Sequence, residues 1–229
     1  MALADDLKKW VSETFTSDWD IEATTGVPDP QDLRLNSNHA KDLDSATVLY
    51  ADLDGSTNMV NTMKWEFSAE IYKTFLKCAS DIIRNEGGVI TAYDGDRVMS
   101  VFTGKSKNSN AARCALKINS AVKDIIQPTI AKKWKTDFVI THVVGVDTSQ
   151  LRAARIGVQG DNDLVWIGRS ANYAAKLTNL GGRPSRITED VYKMLSDESK
   201  FSDGKDMWVR EYWDEMSIWM YSSTWKWSI

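Results

Sequence analysis

The side chains best suited to chemistry sit in two aspartate turns, Asp52-Leu53-Asp54-Gly55-Ser56-Thr57 and Tyr93-Asp94-Gly95-Asp96-Arg97. Each follows a strand-like apolar run. Carboxylates at the ends of neighbouring strands are what a pair of divalent metals needs to hold a triphosphate. The first turn also opens a helix, whose leading N–H groups can receive phosphate. Together they point to phosphoryl transfer. Each turn alone has a plainer reading: a strand–turn–helix junction capped by Asp54 or Ser56, and an ordinary Asp-Gly hairpin. If the strands carrying Asp52 and Asp96 lie side by side, the carboxylates repel unless cations sit between them, and this favours metal.

The elements that must position these turns follow from periodicity. Thr47–Leu53 reads as a strand, with Tyr50 and Asp52 on one face and Leu53 on the other. Only the Leu53 carbonyl is then free to assist a metal. A helix is expected over Asn58–Asn85, ended by Gly87-Gly88. Val89–Tyr93 and Arg97–Thr103 form a hairpin, and Ser109–Ile126 is a helix stopped by Pro128. Phe138–Val146 is a strand, and Leu151–Gly157 pairs with Asp163–Ile167. A helix follows over Ser170–Leu180, then a short strand, a short helix at Glu189–Leu195, and strands at Met207–Trp213 and Ser217–Ser222. The order β-α-β-β-α-β predicts an α+β, ferredoxin-like core with C-terminal strand additions. Residues 1–44 read as a lead-in: an amphipathic helix carrying Leu3, Leu7, Trp10 and Val11, then an irregular stretch with Pro28 and Pro30. Residues 45–229 form the compact domain.

Composition narrows the function. A net charge of −4 argues against nucleic acid as a partner. Two histidines, His39 and His142, exclude a His-rich metal site. Cys78 and Cys114 fall in helical patterns and read as buried thiols, which suits a reducing cytoplasm. No secretory signal is visible, and no apolar run approaches the roughly 18 residues of a membrane span. Five tryptophans in the last 22 residues (Trp208, Trp213, Trp219, Trp225, Trp227) suggest that the C-terminal end closes the core or buries a subunit interface.

The Asp-x-Asp-Gly-Ser pattern after an apolar strand resembles the haloacid-dehalogenase phosphatases, with Asp52 as nucleophile. That family needs a parallel sheet, whereas the connections after Asp96 look antiparallel. A fuller resemblance is to the class III nucleotidyl cyclases. It rests on three stretches in order: Val48-Leu49-Tyr50-Ala51-Asp52-Leu53-Asp54-Gly55-Ser56-Thr57, Gly95-Asp96-Arg97-Val98-Met99-Ser100-Val101-Phe102, and Trp166-Ile167-Gly168-Arg169-Ser170-Ala171-Asn172-Tyr173-Ala174-Ala175-Lys176. The resemblance implies that Asp52 and Asp96, helped by the Leu53 carbonyl, bind two divalent cations, Mn2+ or Mg2+. It implies that Gly55, Ser56 and Thr57 cradle phosphate, and that Asn172 orients the ribose. Lys176 stands where the family usually has an arginine that stabilises the transition state. A catalytically inactive nucleotide-binding dimer is the reading this change leaves open. In the family one subunit supplies the metal aspartates and its partner the Asn/Arg pair. A homodimer with two shared sites is therefore implied.

The departures from the family bear on the base. Ala92 and Val165 occupy positions where purine cyclases place their base-reading polar residues, and Tyr50 stands where the family often has Phe. A phenol there suits the smaller pyrimidine. Arg97 is either a base or phosphate contact or a surface arginine, since strand parity points it away from Asp96. The combination is similar to the bacterial pyrimidine cyclases of Pycsar anti-phage systems. That resemblance implies UTP as substrate, cyclic UMP as product, and a separate cyclic-nucleotide-binding effector as reader. CTP and ATP remain alternatives at this point.

Overall fold

The computed structural model describes residues 2–229, so Met1, the first residue of the expected lead-in, lies outside them. In chain order the elements are α1 (Leu3–Thr16), β1 (Asp20–Ala23), β2 (His39–Asp54), α2 (Ser56–Thr62), α3 (Trp65–Asn85), β3 (Val89–Asp94), β4 (Arg97–Phe102), α4 (Lys107–Ser120), α5 (Gln127–Trp134), β5 (Thr141–Val158), β6 (Asp161–Ile167), α6 (Arg169–Leu177), β7 (Ser185–Thr188), α7 (Glu189–Lys193), α8 (Asp197–Lys200), β8 (Phe201–Ser202), β9 (Lys205–Asp206), β10 (Val209–Trp213) and β11 (Ile218–Ser223). The main sheet runs β10-β11-β7-β5-β2-β4-β3, with β1 beside β2 and β6 beside β5. The stretch β5-β2-β4-β3 with α3 and α4 is the expected ferredoxin-like unit, and β7, β10 and β11 are its C-terminal additions. β2 is antiparallel to both β4 and β5. A parallel phosphatase sheet around Asp52 is thereby ruled out.

Alternation along β2 sorts its side chains between two layers. Leu49, Ala51 and Leu53 face α3 and α4, among Phe67, Ile71, Phe75, Ile83 and Leu116. Each such fully buried side chain contributes roughly 1.5–3 kcal/mol. Val48 and Tyr50 face the other way, toward Met99, Val101, Leu151 and Ala171 and Ala174 of α6. α6 covers only part of this second face, and Tyr50, Asp52 and Ala92 stay half-buried on it.

Several expectations are corrected. The helix expected over Asn58–Asn85 is two, α2 and α3, because the backbone is extended at Met63 and Lys64. Pro128 does not stop the helical run. A π-helical stretch, Ala121–Ile126, precedes α5, and the Gln127 N–H bonds the Val122 carbonyl five residues back. Pro128 therefore falls in a fresh first turn, where its missing N–H costs nothing. The two strands expected over Phe138–Gly157 are one, β5. Asp147 and Thr148, between the two expected strands, are buried inside the sheet. β2 begins at His39 and pairs in parallel with β1, so the boundary expected at residue 45 falls within a strand. α6 ends at Leu177, before the expected Leu180.

Both cysteines are free thiols, and Cys114 is fully buried. The tryptophan-rich end closes the core: Trp208 is buried, with Trp225 and Trp227 packed against the main cluster. Asn119 donates to the Thr224 and Trp225 carbonyls and Ser120 to that of Trp227, which pins the tail to α4. Trp19, Trp65 and most of the apolar side of α1 remain exposed. Among the described residues no helix is long and apolar enough to cross a membrane.

Candidate active site

Pairing of Ala51 with Val98 brings the end of β2 beside the start of β4, and so Asp52 beside Arg97. The Arg97 guanidinium donates to one oxygen, Asp52 Oδ2, from Nη2 at 2.6 Å and Nε at 3.0 Å. It also lies 5.8 Å from the centroid of the Tyr50 ring. Arg97 is thus part of the aspartate face, which corrects the surface-arginine reading. Burial pushes the Asp52 carboxyl above the ordinary value, the Arg97 hydrogen bond and charge pull it back, and the nearby negative charge of Asp96 raises it further. The Leu53 side chain lies in the core, as parity requires, so only its backbone is available to the site.

Asp96 sits in the β3–β4 turn, and its Oδ2 is buried without a hydrogen-bond partner. An unpaired buried acceptor costs about 1–3 kcal/mol, more when charged. A hard cation between Asp52 and Asp96 would relieve both that cost and the repulsion between the carboxylates. The donor set therefore fits divalent metal.

Around the aspartates, Tyr50 donates its hydroxyl to Met99 Sδ at 3.0 Å, and burial raises its pKa. Ala92 pairs across the hairpin with Met99, so Tyr50, Ala92, Arg97 and Asp52 share one face. Val165 does not join them. It pairs with Ala154 on the opposite face of the sheet and lines a groove with Leu7 and Trp10 of α1. Gly55 leads into α2 at φ +74°, and no atom lies within 4 Å of where its Cβ would be. Backbone conformation, not crowding, calls for glycine there. Ser56 and Thr57 form the first turn of α2.

α6 carries Asn172 and Lys176 one turn apart, both exposed. Two devices hold it. A Cβ on Gly145 of β5 would lie 2.2 Å from the Ala174 carbonyl oxygen, so only glycine admits the helix this close. Arg169, the first residue of α6, bonds buried Asp147 through Nε at 3.1 Å, the Thr148 carbonyl at 2.8 Å and Asp190 at 2.6 Å. Burial raises the pKa of Asp147, and the Thr188 hydroxyl and Arg169 oppose that rise. The sequence reading passed over both residues; the available signal was a lone acid inside a β-branched run and a base after Gly168. It also missed Glu215, which pairs with Lys176. Neither Asn172 nor Lys176 shares a hydrogen bond or ion pair with Asp52 or Asp96 among the described residues.

A second acidic group exists. One ligand atom each from Asp20, Glu22 and His39 lies within 4.8 Å of the others, so these residues could hold a metal. Their charges are already met: Arg34 pairs with Asp20, Lys41 with Glu22, and His39 Nε2 lies 3.1 Å from Glu22. His39 Nδ1 accepts from the Arg34 N–H at 3.1 Å. This group clasps β1 to β2.

Antiparallel strands bearing two acidic turns, followed by an α6 that presents Asn172 and Lys176, are the arrangement that the resemblance to nucleotidyl cyclases implies. The family description "Adenylate and Guanylate cyclase catalytic domain" matches residues 38–222. The chain belongs to that family. It is 76% identical over 229 residues to a uridylate cyclase of Burkholderia cepacia, covering 100% of both chains. It is 49% identical over 231 residues to a uridylate cyclase of Xanthomonas perforans, again with 100% of both covered. The fold is similar to the crystal structure of the adenylyl cyclase CyaB from P. aeruginosa, with a TM-score of 0.67 at 19% identity over 80% of this chain and 95% of that one.

Proposed function

We propose that the chain converts UTP to 3′,5′-cyclic UMP and pyrophosphate, at two sites shared across a two-fold homodimer. The observation that carries this reading is full-length similarity to two uridylate cyclases, at 76% and 49% identity. Asp52 and Asp96, with the Leu53 carbonyl, would hold two divalent cations, Mn2+ or Mg2+. Bound there, they would supply acidification of the ribose 3′-hydroxyl and charge neutralisation on the phosphates. The 3′-hydroxyl gives up its proton to solvent as its oxygen forms a bond to the α-phosphorus, the bond from that phosphorus to the bridging β-phosphate oxygen breaks, and pyrophosphate leaves. Gly55, Ser56 and Thr57 offer backbone N–H groups to phosphate at the start of α2. Asn172 of the partner subunit orients the ribose. Lys176 brings positive charge to the transition state without the planar fork of an arginine. Tyr50 borders the base and Arg97 lies beside the phosphates, while Ala92 and Val165 of the partner subunit give a purine no hydrogen-bonding edge.

The dimer reading is supported by the absence, among the described residues of one chain, of any hydrogen bond or ion pair between Asp52 or Asp96 and Asn172 or Lys176. A closed two-fold pair makes each site from both protomers. The role as signal generator for a cytoplasmic anti-phage system, with cyclic UMP read by a separate effector, rests on the Pycsar resemblance.

The purified protein is incubated with each of the four nucleoside triphosphates and Mn2+, and products are separated by chromatography. Cyclic UMP is the expected main product; cyclic AMP as main product overturns the reading. Mixing two inactive variants, Asp52→Asn and Asn172→Ala, restores about a quarter of wild-type activity, because half the dimers are mixed and each holds one intact site. No recovery on mixing refutes shared sites. Bacteria carrying the gene with its effector are expected to resist phage, and Asp52→Asn to abolish that resistance.

A further inference from the structure

One of the two oxygens that Asp52 has to offer a metal, Oδ2, is already engaged. Two N–H groups of Arg97 converge on Oδ2, at 2.6 and 3.0 Å, while Asp96 Oδ2 has no partner at all. The positive charge of the face is therefore delivered to one carboxylate and withheld from the other. Arg97 is only partly exposed, with 30% of its side-chain surface accessible, and its other neighbour is the Tyr50 ring. A guanidinium keeps its charge at any pH a protein survives, so Arg97 cannot yield by losing a proton. A cation can take Oδ2 only if the arginine moves, and at Oδ1 it meets a carboxylate whose charge the guanidinium already neutralises. Moving it away with nothing in exchange abandons a charge-assisted pair. A triphosphate entering beside α2 offers the exchange, since its oxygens match the same donor fork.

We propose that Arg97 is the resident counter-cation of Asp52 and couples metal loading to the arrival of the nucleotide. The triphosphate draws the guanidinium off Oδ2, and the cation takes its place. This rests on the reading of Asp52 as a metal ligand. The coupling is reciprocal: metal tightens nucleotide binding by the same factor by which nucleotide tightens metal. Lone Asp96 is then a weak site for metal in the absence of nucleotide, which keeps adventitious cations from settling in the face.

The test reads Mn2+ binding, not turnover. Full-length protein is titrated with Mn2+ alone, and free Mn2+ is followed by electron paramagnetic resonance. Arg97→Gln is expected to bind Mn2+ roughly tenfold or more tightly than wild type, the worth of a hydrogen-bonded charge. Arg97→Met is the second variant and is expected to match it. Arg84→Gln, which removes an exposed charge on α3, is expected to match wild type and so controls for net charge. Adding a non-hydrolysable UTP analogue is expected to tighten Mn2+ binding more in wild type than in Arg97→Gln. The proposal is overturned if both Arg97 variants bind Mn2+ as wild type does while Asp52→Asn weakens it. If Asp52→Asn leaves Mn2+ binding unchanged, the metal-ligand reading of Asp52 falls instead, and the coupling falls with it.

Discussion

Substituting Gly145 by alanine tests whether the placement of α6 controls catalysis. The added Cβ would lie 2.2 Å from the Ala174 carbonyl oxygen and 2.8 Å from Leu177 Cβ. An ordinary contact needs about 3.4 Å, so the helix must retreat by roughly 1 Å, since the blocking atom is backbone and cannot rotate aside. Overpacking of this kind costs about 1–3 kcal/mol of stability. Asn172 and Lys176 ride on the displaced helix. A displacement of that size near reacting groups costs on the order of 10²-fold in rate. Gly26→Ala is the control, because nothing lies within 4 Å of its Cβ position and its φ is ordinary. The measurements are kcat with UTP and the urea midpoint for both variants. Gly145→Ala should lose about two orders of magnitude in kcat while retaining a cooperative transition at lower urea. Wild-type kcat and midpoint in Gly145→Ala would refute the close-approach reasoning. A lowered midpoint with wild-type kcat would separate fold from function and show that α6 does not position the reacting groups.

Two further outcomes are expected. His142 is buried, and burial, with a smaller effect from the Lys123 charge, depresses its pKa from 6.5 to about 3. Its neutral form therefore favours the fold, with stability fully present above pH 6.5 and lost as pH falls toward about 3, on the order of 4–5 kcal/mol across that window. Urea titrations from pH 7 to 4 should show a shallower pH dependence in His142→Leu than in wild type; equal slopes would sink the assignment. Lys176→Ala should lose about 10²–10³-fold in kcat with little change in KM, as expected for charge offered to the transition state, whereas Lys176→Arg should keep activity. A wild-type kcat in Lys176→Ala, followed by steady-state pyrophosphate release, would remove the lysine from the chemistry.

The elements legible in the sequence were those whose patterning agrees with their burial. β2 carries a continuous apolar run, Val48-Leu49-Tyr50-Ala51, into Asp52, α3 carries one apolar stripe, and the Asp94-Gly95 turn announces its hairpin, so the elements of the aspartate face are legible in the sequence. Reading failed where polar residues are buried or helical hydrogen bonding changes register. Asp147 and Thr148 fall between two expected strands, yet they bind Arg169, Thr188 and Thr47 within the sheet. Pro128 looks like a stop, yet a π-helical stretch absorbs it. β1 has all four residues exposed and no alternation, and its pairing with β2 is held by charged clasps that periodicity cannot see.

The same distinction bears on substrate choice. Tyr50 and Ala92 lie with the aspartates on one face, but Val165 lies across the sheet in the same protomer. Any constraint that Val165 places on the base must therefore come from the other protomer of the proposed dimer or not at all. Within one chain the selectivity against purines reduces to Tyr50, held by Met99 Sδ, and to Ala92, which offers no hydrogen bond. A hydrogen-bonding phenol discriminates by what it leaves unpaired when the wrong base arrives, whereas an alanine discriminates only by size. Uracil differs from cytosine at one polar edge, and Tyr50 is the neutral group on this face with a proton to give. Rotation of its hydroxyl from Met99 onto a base carbonyl would exchange a weak sulfur acceptor for a stronger oxygen. Tyr50→Phe therefore separates the two means of selection: the ring still fills the space a pyrimidine leaves, and only the discrimination between UTP and CTP should fall.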